Sequence, residues 1–562
     1  MEVAAPQEGG AKPALKLIPL GGLGEIGLNM MVMEYGDTII VIDCGLMFPE
    51  DYMLGIDLVI PDITYLKKNR EKVKAFIITH GHEDHTGALP FILPEINAPI
   101  YATALTIGLI EEKLEEFDLL KSTQFETVKP RDRISVGPFD IEFIRVSHSI
   151  VDGCGLAIRT PLGVIVHTGD FKMDQTPVDG EVMDYARFSE YGESGVLCFL
   201  SDSTNVEKEG YTLSEREIGY NLEDIFRRCE GRIMVAAFSS NIHRVQQVLE
   251  SAVKFGRKVA LNGKSMVANV RIARTLGYLK APDGLIVDLK EIESLPHDKI
   301  VLLTTGSQGE PMSALTRMAM DNHKHLKVEK GDTIILSSKF IPGHEKAITT
   351  MMNHLYRRGA DVIYEKVSEV HVSGHASQEE LKIMFNMVKP KYFIPVHGEY
   401  RHLVLHSRLA AKVGIPEANI FIAEDGDVVE FTEEGVSKKE KVEFGKVFVD
   451  GKGVGDVGAM VIKDRTHLSQ DGMVLAVIGL NASTGEAIYG PEIITRGLLF
   501  EEENGELLEG AKAVVLEALS NINVEVKTEQ LEVKEEIRRA LRRFFNKKLE
   551  RRPVILPIIM EI

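Results

Sequence analysis

The 562-residue chain holds no apolar run approaching the ~20 residues that a membrane-spanning helix needs, which excludes an integral helical membrane protein. It also lacks any Cys-x-x-Cys pair: Cys44, Cys154, Cys198 and Cys229 stand far apart. That excludes zinc ribbons and a disulfide framework. Apolar, strand-like neighbours around three of them predict buried thiols in a reducing compartment. Positive charge is scarce as well. Its 65 Lys and Arg stand against 84 Asp and Glu, a net of −19, so no broadly basic nucleic-acid surface is expected. A polyanionic substrate is still admissible, because metal ions and a focused groove dominate within a Debye length of ~8 Å. Residues 1–14, Ala/Gly-rich and without an apolar core, read as a disordered leader and not as a signal peptide. A cytoplasmic protein follows.

What is present is an ordinary globular composition, 44% apolar and 27% charged, at a length that calls for two to four domains. Up to about Asp202, short β-rich runs alternate with turns. Thr38–Asp43, Ala75–Thr79, Ile141–Val146 and Gly163–His167 are examples, each ending near a His or Asp. Such groups on loops after strands are the common arrangement of α/β enzymes. The glycine-rich Gly21–Gly27 has no following helix or acidic ribose partner, so it reads as a hairpin or loop and not as a dinucleotide fingerprint.

Helix–strand alternation follows, from about Gly210 to Ala360. Ser214 with Glu217 has capping-box spacing ahead of a helix to Arg228, and Ile233–Phe238, Lys258–Leu261, Leu285–Val287, Ile300–Thr304 and Thr333–Ser337 read as parallel strands. Histidine-rich loops then resume, which predicts a first domain split by an inserted one. A charged, glycine-punctuated stretch at 433–458 reads as a linker. Beyond it lies a small α+β domain. Its helix is expected from about Thr528 to Leu549, with Ile537, Leu541 and Phe544 inward. Its end is basic, which suits a solvated face, RNA contact or a dimer seam.

The densest signal is His80-Gly81-His82-Glu83-Asp84-His85, directly after a β-branched apolar run. Three imidazoles and a carboxylate in six positions are a donor set for Zn²⁺ or Mn²⁺. His148, Asp170 and His397 each end a further apolar run. A single catalytic zinc takes about three protein ligands plus water, so seven candidates suit two ions better. The expected assignment gives one ion His80, His82 and His148, and the other Asp84, His85 and His397, with Asp170 bridging. Such a pair activates a water and stabilises both oxygens of an in-line displacement. Glu83 is either a proton carrier or an exposed loop carboxylate.

His-x-His-x-Asp-His with a separated His and Asp resembles the metallo-β-lactamase superfamily. Asp202 in Ser201–Asn205, His375 in Ser373-Gly374-His375-Ala376 and His397 in Pro395–Glu399 look like the added motifs of its β-CASP nucleases. From about Leu17 to Ile562 the order is similar to the ribonuclease J family. The resemblance implies an αββα metallo-β-lactamase sandwich at 15–210 and 363–432, interrupted by a parallel α/β β-CASP domain at 211–362. A C-terminal domain at 459–562 completes it. It further implies two Zn²⁺, with Mn²⁺ as the alternative, and a homodimer or homotetramer through the C-terminal domain. The substrate would be single-stranded RNA, degraded 5′→3′ from a 5′-monophosphate and also cut internally, in RNA processing and decay.

Asp84, Asp202 and His375 would be catalytic. His375 donates to the transition-state phosphorane, and Asp202 orients a metal-bound histidine or handles protons. Ser240, Asn241, Ser373, Gly374, His375, Ala376 and Ser377 would form the substrate-binding pocket for the 5′ phosphate, with helix capping by Ser239 or Asn241 as the competing reading. The segment Ser337–Glu345 departs from the family form at Lys339 and Phe340, a charge for phosphate and a ring for stacking. Two other readings stand beside this one. A small-molecule hydrolase, such as a lactonase or thioesterase, would not need the insertion. An RNA-binding scaffold would not need all seven ligands.

Overall fold

The computed structural model describes residues 13–310, 312–340, 344–481, 486–499, 505–522 and 530–561. Most of the expected leader, residues 341–343 of the Ser337–Glu345 segment and the expected cap Thr528 lie outside them. The chain divides into two compact units, Met1–Phe48 with Val59–Val447, and Pro49–Leu58 with Phe448–Ile562.

The first unit is built on two facing sheets. One has eight strands, in the order Gly435–Lys439, Val428–Thr432, Leu15–Gly21, Met30–Tyr35, Thr38–Ile42, Val73–Ile77, Ile100–Thr103 and Phe125–Val128. The other has six: Pro390–Val396, Val196–Asp202, Gly163–His167, Cys154–Thr160, Phe139–Arg145 and Arg133–Val136. Alternation along the strands sends one set of side chains between the sheets. Leu17, Met33, Ile40 and Ile77 there meet Phe143, Leu156, Ile165 and Ile394 in one core. On the far side of the six-stranded sheet, Phe199 and Phe393 pack against Phe188, Leu381 and Phe385 of the helices Tyr185–Ser194 and Gln378–Val388. This is the αββα sandwich expected from the sequence. Cys44, Cys154 and Cys198 are free and buried.

The insertion carries a separate six-stranded sheet, ordered Ile286–Val287, Lys258–Asn262, Ile300–Thr304, Ile233–Ala236, Thr333–Leu336 and Asp361–Ile363, with every pairing parallel. A parallel sheet covered on both faces needs continuous apolar strands, and Ile300–Thr304 is buried throughout. Ser214 caps the helix Glu215–Arg228 as expected, but its Oγ accepts from Arg216 N, and Glu217 lies exposed instead of closing a capping box.

The charged stretch expected to be a linker contains the boundary between the two units, at Val447–Phe448, but its first part is built into the first unit. Gly435–Lys439 is an edge strand, paired antiparallel with Val428–Thr432 through a tight turn. Exposed lysines on an edge strand and a solvated linker share one composition, which is why the two read alike.

In the second unit, the helices Gly505–Ser520 and Gln530–Leu549 cover one face of the sheet Ala487–Arg496, Met473–Leu480 and Val554–Glu561. Ile537 and Leu541 point inward as expected; Phe545, four residues on, is fully buried with them, and Phe544 is half-buried against the same core. Arg542, Arg543, Lys547 and Lys548 form an exposed basic face.

One buried carboxylate ties the six-stranded sheet to its covering helix. Glu142 accepts from Arg187 Nη2 and Arg133 Nε at 2.8 Å and from Tyr191 OH at 2.6 Å. Burial pushes its pKa up, but the Arg187, Tyr191 and Arg133 bonds outweigh that and hold it at about 2. Its stabilisation is therefore complete above the unfolded value of ~4.3 and is lost as pH falls through about 2. Glu142→Gln should cost about 3 kcal/mol at pH 7. In thermal melts its deficit against the parent should narrow steadily from pH 4.5 downward.

Candidate metal centre

The seven candidate ligands come from the ends of strands in both sheets. Val73–Ile77 leads to His80, His82, Asp84 and His85; Phe139–Arg145 leads to His148; Gly163–His167 leads to Asp170; Pro390–Val396 leads to His397. The structure brings them together in two groups that share Asp170.

In the first group, His80 Nε2 and His148 Nε2 each lie 3.1 Å from His82 Nδ1. Asp170 Oδ2 stands 3.7 and 3.8 Å from the same two Nε2 atoms. Around a zinc ion with bonds of ~2.0–2.1 Å, tetrahedral ligand atoms sit about 3.3 Å apart, so the donor spacing fits the ion. In the second group, Asp170 Oδ2 is 3.2 Å from His85 Nε2, and Asp84 Oδ2 is 3.6 Å from His85 Nε2 and 3.4 Å from His397 Nε2. His397 Nε2 is buried without a hydrogen-bond partner, as a nitrogen meant for a cation would be.

The opposite ring nitrogens fix which atom each imidazole offers. His85 Nδ1–H donates to Asp43 Oδ2 and His397 Nδ1–H to Asp170 Oδ1, both at 2.7 Å. His148 Nδ1–H donates to Gly374 O at 2.7 Å, and His80 Nδ1 lies 3.0 Å from Thr79 Oγ1. Each of these four rings therefore turns Nε2 toward the centre.

The surroundings divide the two groups electrostatically. Burial first, and then neighbouring imidazoles, push His80 well down, and His148 to about 3. Burial likewise carries His82 down to about 4. Burial opposes charge on His85 and His397 too, but Asp170 and the other carboxylates win, raising His85 well above its ordinary value and His397 to about 10. The three nitrogens of the first group are thus neutral and ready to ligate. The carboxylates of the second group instead shift its imidazoles toward the protonated form, so a cation binding there competes with protons.

The backbone is shaped to this purpose. His397 sits in the left-handed region at φ 54°, between the strand Pro390–Val396 and a parallel pairing of Gly398–Glu399 with Leu23–Gly24. The glycine-rich loop thus braces the residues just after His397. A Cβ on Gly45 would fall 1.7 Å from Asp84 O, and one on Gly374 2.6 Å from His148 Cε1, so neither site admits a side chain.

His375 and Asp202 form a third element. His375 Nδ1–H donates to Asp202 Oδ2 at 2.7 Å, whereas Asp202 Oδ1 is 3.8 Å from His397 Nδ1. Asp202 therefore pairs with His375 before any of the seven candidate ligands. Burial opposes protonation of His375, but Asp202 outweighs it and raises its pKa. Glu83 is exposed and paired with Lys113, which fits the loop-carboxylate reading.

Among the expected phosphate-pocket residues, two are already committed. Asn241 accepts from Arg244 N at the start of Ile242–Lys254, and the fully buried Ser377 caps Gln378–Val388 in a capping box with Glu380. Ser240 is half-buried; Ser373 Oγ accepts from His375 N at 3.1 Å; and Ala376 is buried. Phe340 stacks on Tyr364 with centroids 6.2 Å apart, while Lys339 is exposed.

Sequence reasoning missed Asp43, which accepts from Thr79 N at 2.8 Å as well as orienting His85. The signal was available, since Thr38–Asp43 ends in an acid after an apolar run, as Val166–Asp170 does. His167 accepts from Gly169 N and so shapes the turn that presents Asp170.

A two-sheet sandwich with this donor set at its strand ends defines a metallo-hydrolase of the metallo-β-lactamase superfamily, and that family's model matches residues 23–187. Models described as the ribonuclease J beta-CASP domain, a Zn-dependent metallo-hydrolase RNA specificity domain and the ribonuclease J C-terminal domain match 230–355, 359–422 and 460–562. Ribonuclease J2 of Bacillus subtilis is 43% identical over 552 residues, covering 98% of this chain and 99% of its own. Ribonuclease J of Thermus thermophilus is 44% identical over 566 residues, covering 99% and 97%. The chain belongs to the ribonuclease J family. A solved protein of unknown function from Enterococcus faecalis V583 shares the fold, with a TM-score of 0.54 at 17% identity over 74% of this chain and 100% of that one.

Removing ligands should separate the two groups. His82→Ala should halve the bound metal measured by elemental analysis, and Asp170→Ala, which serves both groups, should lower it further. Equal losses in the two variants would contradict the shared carboxylate.

Proposed function

We propose that the chain is a metal-dependent ribonuclease that cleaves single-stranded RNA. It runs 5′→3′ from a 5′-monophosphate and also cuts internally, and it works in RNA processing and decay in the cytoplasm. The observation that carries this reading is the pair of donor groups sharing Asp170 beside the His375–Asp202 pair. The RNA-specificity match over 359–422, which contains His375 and His397, supports it. So do the names of the full-length relatives.

His80, His82 and His148 would hold one divalent cation and Asp84, His85 and His397 the other, with Asp170 between; Zn²⁺ is the reading favoured by the matched family's description. Such ions supply an acidified water and charge for the attacking and departing oxygens. The chain's own residues do the rest. Asp170 orients His397 through one oxygen and faces both groups with the other. Asp202 accepts from His375 Nδ1–H and raises its pKa, and the protonated ring carries an Nε2–H that can donate to a phosphoryl oxygen as negative charge develops.

For the 5′ phosphate, Ser240 and Ser373 are the side chains the reading retains, with the backbone N–H groups of Gly374 and Ala376. Asn241 and Ser377 act through the caps that shape this pocket. The domain limits follow the same reading: 15–210 with 363–432, 211–362, and 459–562.

A second copy of the chain is the partner proposed for the C-terminal sheet. Along Val554–Glu561, Ile555 and Ile559 are buried under the helices, while Leu556, Ile558 and Met560 remain exposed. An open apolar face of this kind suits a homodimer or homotetramer. Ile558→Asp should shift the mass measured by light scattering toward the monomer. Among the described residues no helix is long and apolar enough to cross a membrane.

The decisive assay follows 5′- and 3′-labelled RNAs that differ only in 5′ phosphorylation, with Zn²⁺, Mn²⁺ or chelator added. Chelation and His80→Ala should each abolish cleavage. Ser373→Ala should cost about tenfold on the monophosphorylated end, one hydrogen bond to a charged group, and leave internal cutting near the parental rate. Equal loss on both would remove Ser373 from end recognition. Hydrolysis of lactones or thioesters without RNA cleavage would favour the small-molecule reading.

A further inference from the structure

Beside the metal centre lies a chain of four buried charges. Arg244, Glu215, Lys172 and Asp174 are at most 2% exposed. Arg244 Nη2 donates to Glu215 Oε2 at 2.7 Å, and Lys172 Nζ stands 3.7 Å from both Glu215 Oε1 and Asp174 Oδ2. Two cations and two carboxylates cancel, so the group is neutral overall. Buried pairs of this kind seldom add stability beyond apolar packing, and what they hold in place is their more telling property.

These charges run from the metal ligands to the base of the His375 loop. Lys172 lies two residues past Asp170, and its N–H donates at 2.7 Å to the carbonyl of Ser147, the neighbour of His148. Glu215 opens its helix with its N–H on Asp174 Oδ2 at 3.0 Å. Arg244 uses its remaining donors on Val370 O at 2.6 Å, on Ser337 Oγ and on Gln247 Oε1 at 3.1 Å. Ser337 Oγ donates to the same Val370 carbonyl at 2.6 Å.

Val370 begins the segment that carries Ser373, Gly374 and His375. The far end of that segment is tied to the site. His148 holds Gly374 O, and Thr212 Oγ1 and Asn205 Nδ2 hold His375 O at 2.9 and 3.2 Å.

We propose that Arg244 is a positioning residue for RNA cleavage: its grip on the Val370 carbonyl, backed by Glu215 and Lys172, sets where the Ser373–His375 loop meets the metal centre. The inference rests on the ribonuclease reading. Lysine at this position keeps the charge but not the fork, because one ammonium cannot reach Glu215, Val370 and Gln247 together.

The test uses the metal-loaded full chain, comparing the parent with Arg244→Lys, Glu215→Gln and the double variant. Melting temperature and hydrolysis of bis(p-nitrophenyl) phosphate report the fold and the metals; kcat and KM on 5′-monophosphorylated and 5′-hydroxyl RNA report the loop. Arg244→Lys should melt near the parent and keep the parental rate on the small diester. On RNA it should lose about 10- to 100-fold in kcat, with KM changed less and the preference for the monophosphate end diminished. The double variant should be no worse than the poorer single. Parental kcat and end preference in Arg244→Lys would overturn the proposal, as would a loss on the small diester equal to that on RNA. If Arg244→Lys does not fold, Ser337→Ala, which removes one donor from Val370, carries the same prediction at smaller size, and parental kinetics there would overturn it. A parent that leaves RNA intact while hydrolysing the small diester would instead sink the ribonuclease reading itself.

Discussion

The carboxylate of Asp170 is the constraint around which the rest is arranged. One oxygen faces His80, His85 and His148, and the other fixes the ring of His397. Buried among four imidazoles, it is held ionised far below its ordinary range because burial, the largest opposing effect, is outweighed by His397 and His85. A lone charge in such a place would be prohibitive; one that faces four imidazoles and is shared by two candidate cation sites is not. The turn before it, shaped by His167 on Gly169 N, and the six-stranded sheet behind it keep that oxygen in place.

Around Asp170 the centre is framed by backbone as much as by side chains. Gly374 lends its carbonyl to His148 and has no room for a Cβ, and Gly45 presses against the carbonyl of Asp84. Asn29 donates to that same carbonyl through its amide side chain at 3.1 Å. The candidate ligands are thus pre-aimed by hydrogen bonds to groups outside the donor set, which lowers the ordering cost of loading the site.

The convergence of the seven candidate donors was legible in the sequence because each follows an apolar strand, and strand ends in a two-sheet sandwich converge on one edge. The parallel insertion was legible for a related reason: Ile300–Thr304 and Thr333–Leu336 are apolar on both faces. What escaped reading was ambiguous in composition. Gly435–Lys439 has the charges of a linker because it is a solvated edge. Asp43 is the exception, because it ends an apolar run as Asp170 does and that signal was there to read. Asn241 and Ser377 serve a helix start, where a phosphate site and a cap ask for the same residue types. Phe544 and Phe545 differ by about 100° around their helix, and only packing decided which is fully buried.

The order of the ligands along the chain has a bearing on synthesis. His80 and His397 are separated by more than three hundred positions, with a whole second sheet made in between. A nascent polypeptide emerging from the ribosome therefore carries the first donor group early but cannot complete the second until the insertion has already been translated. A fragment ending before this point would lack a donor of the second group and the edge strand Pro390–Val396 of the six-stranded sheet.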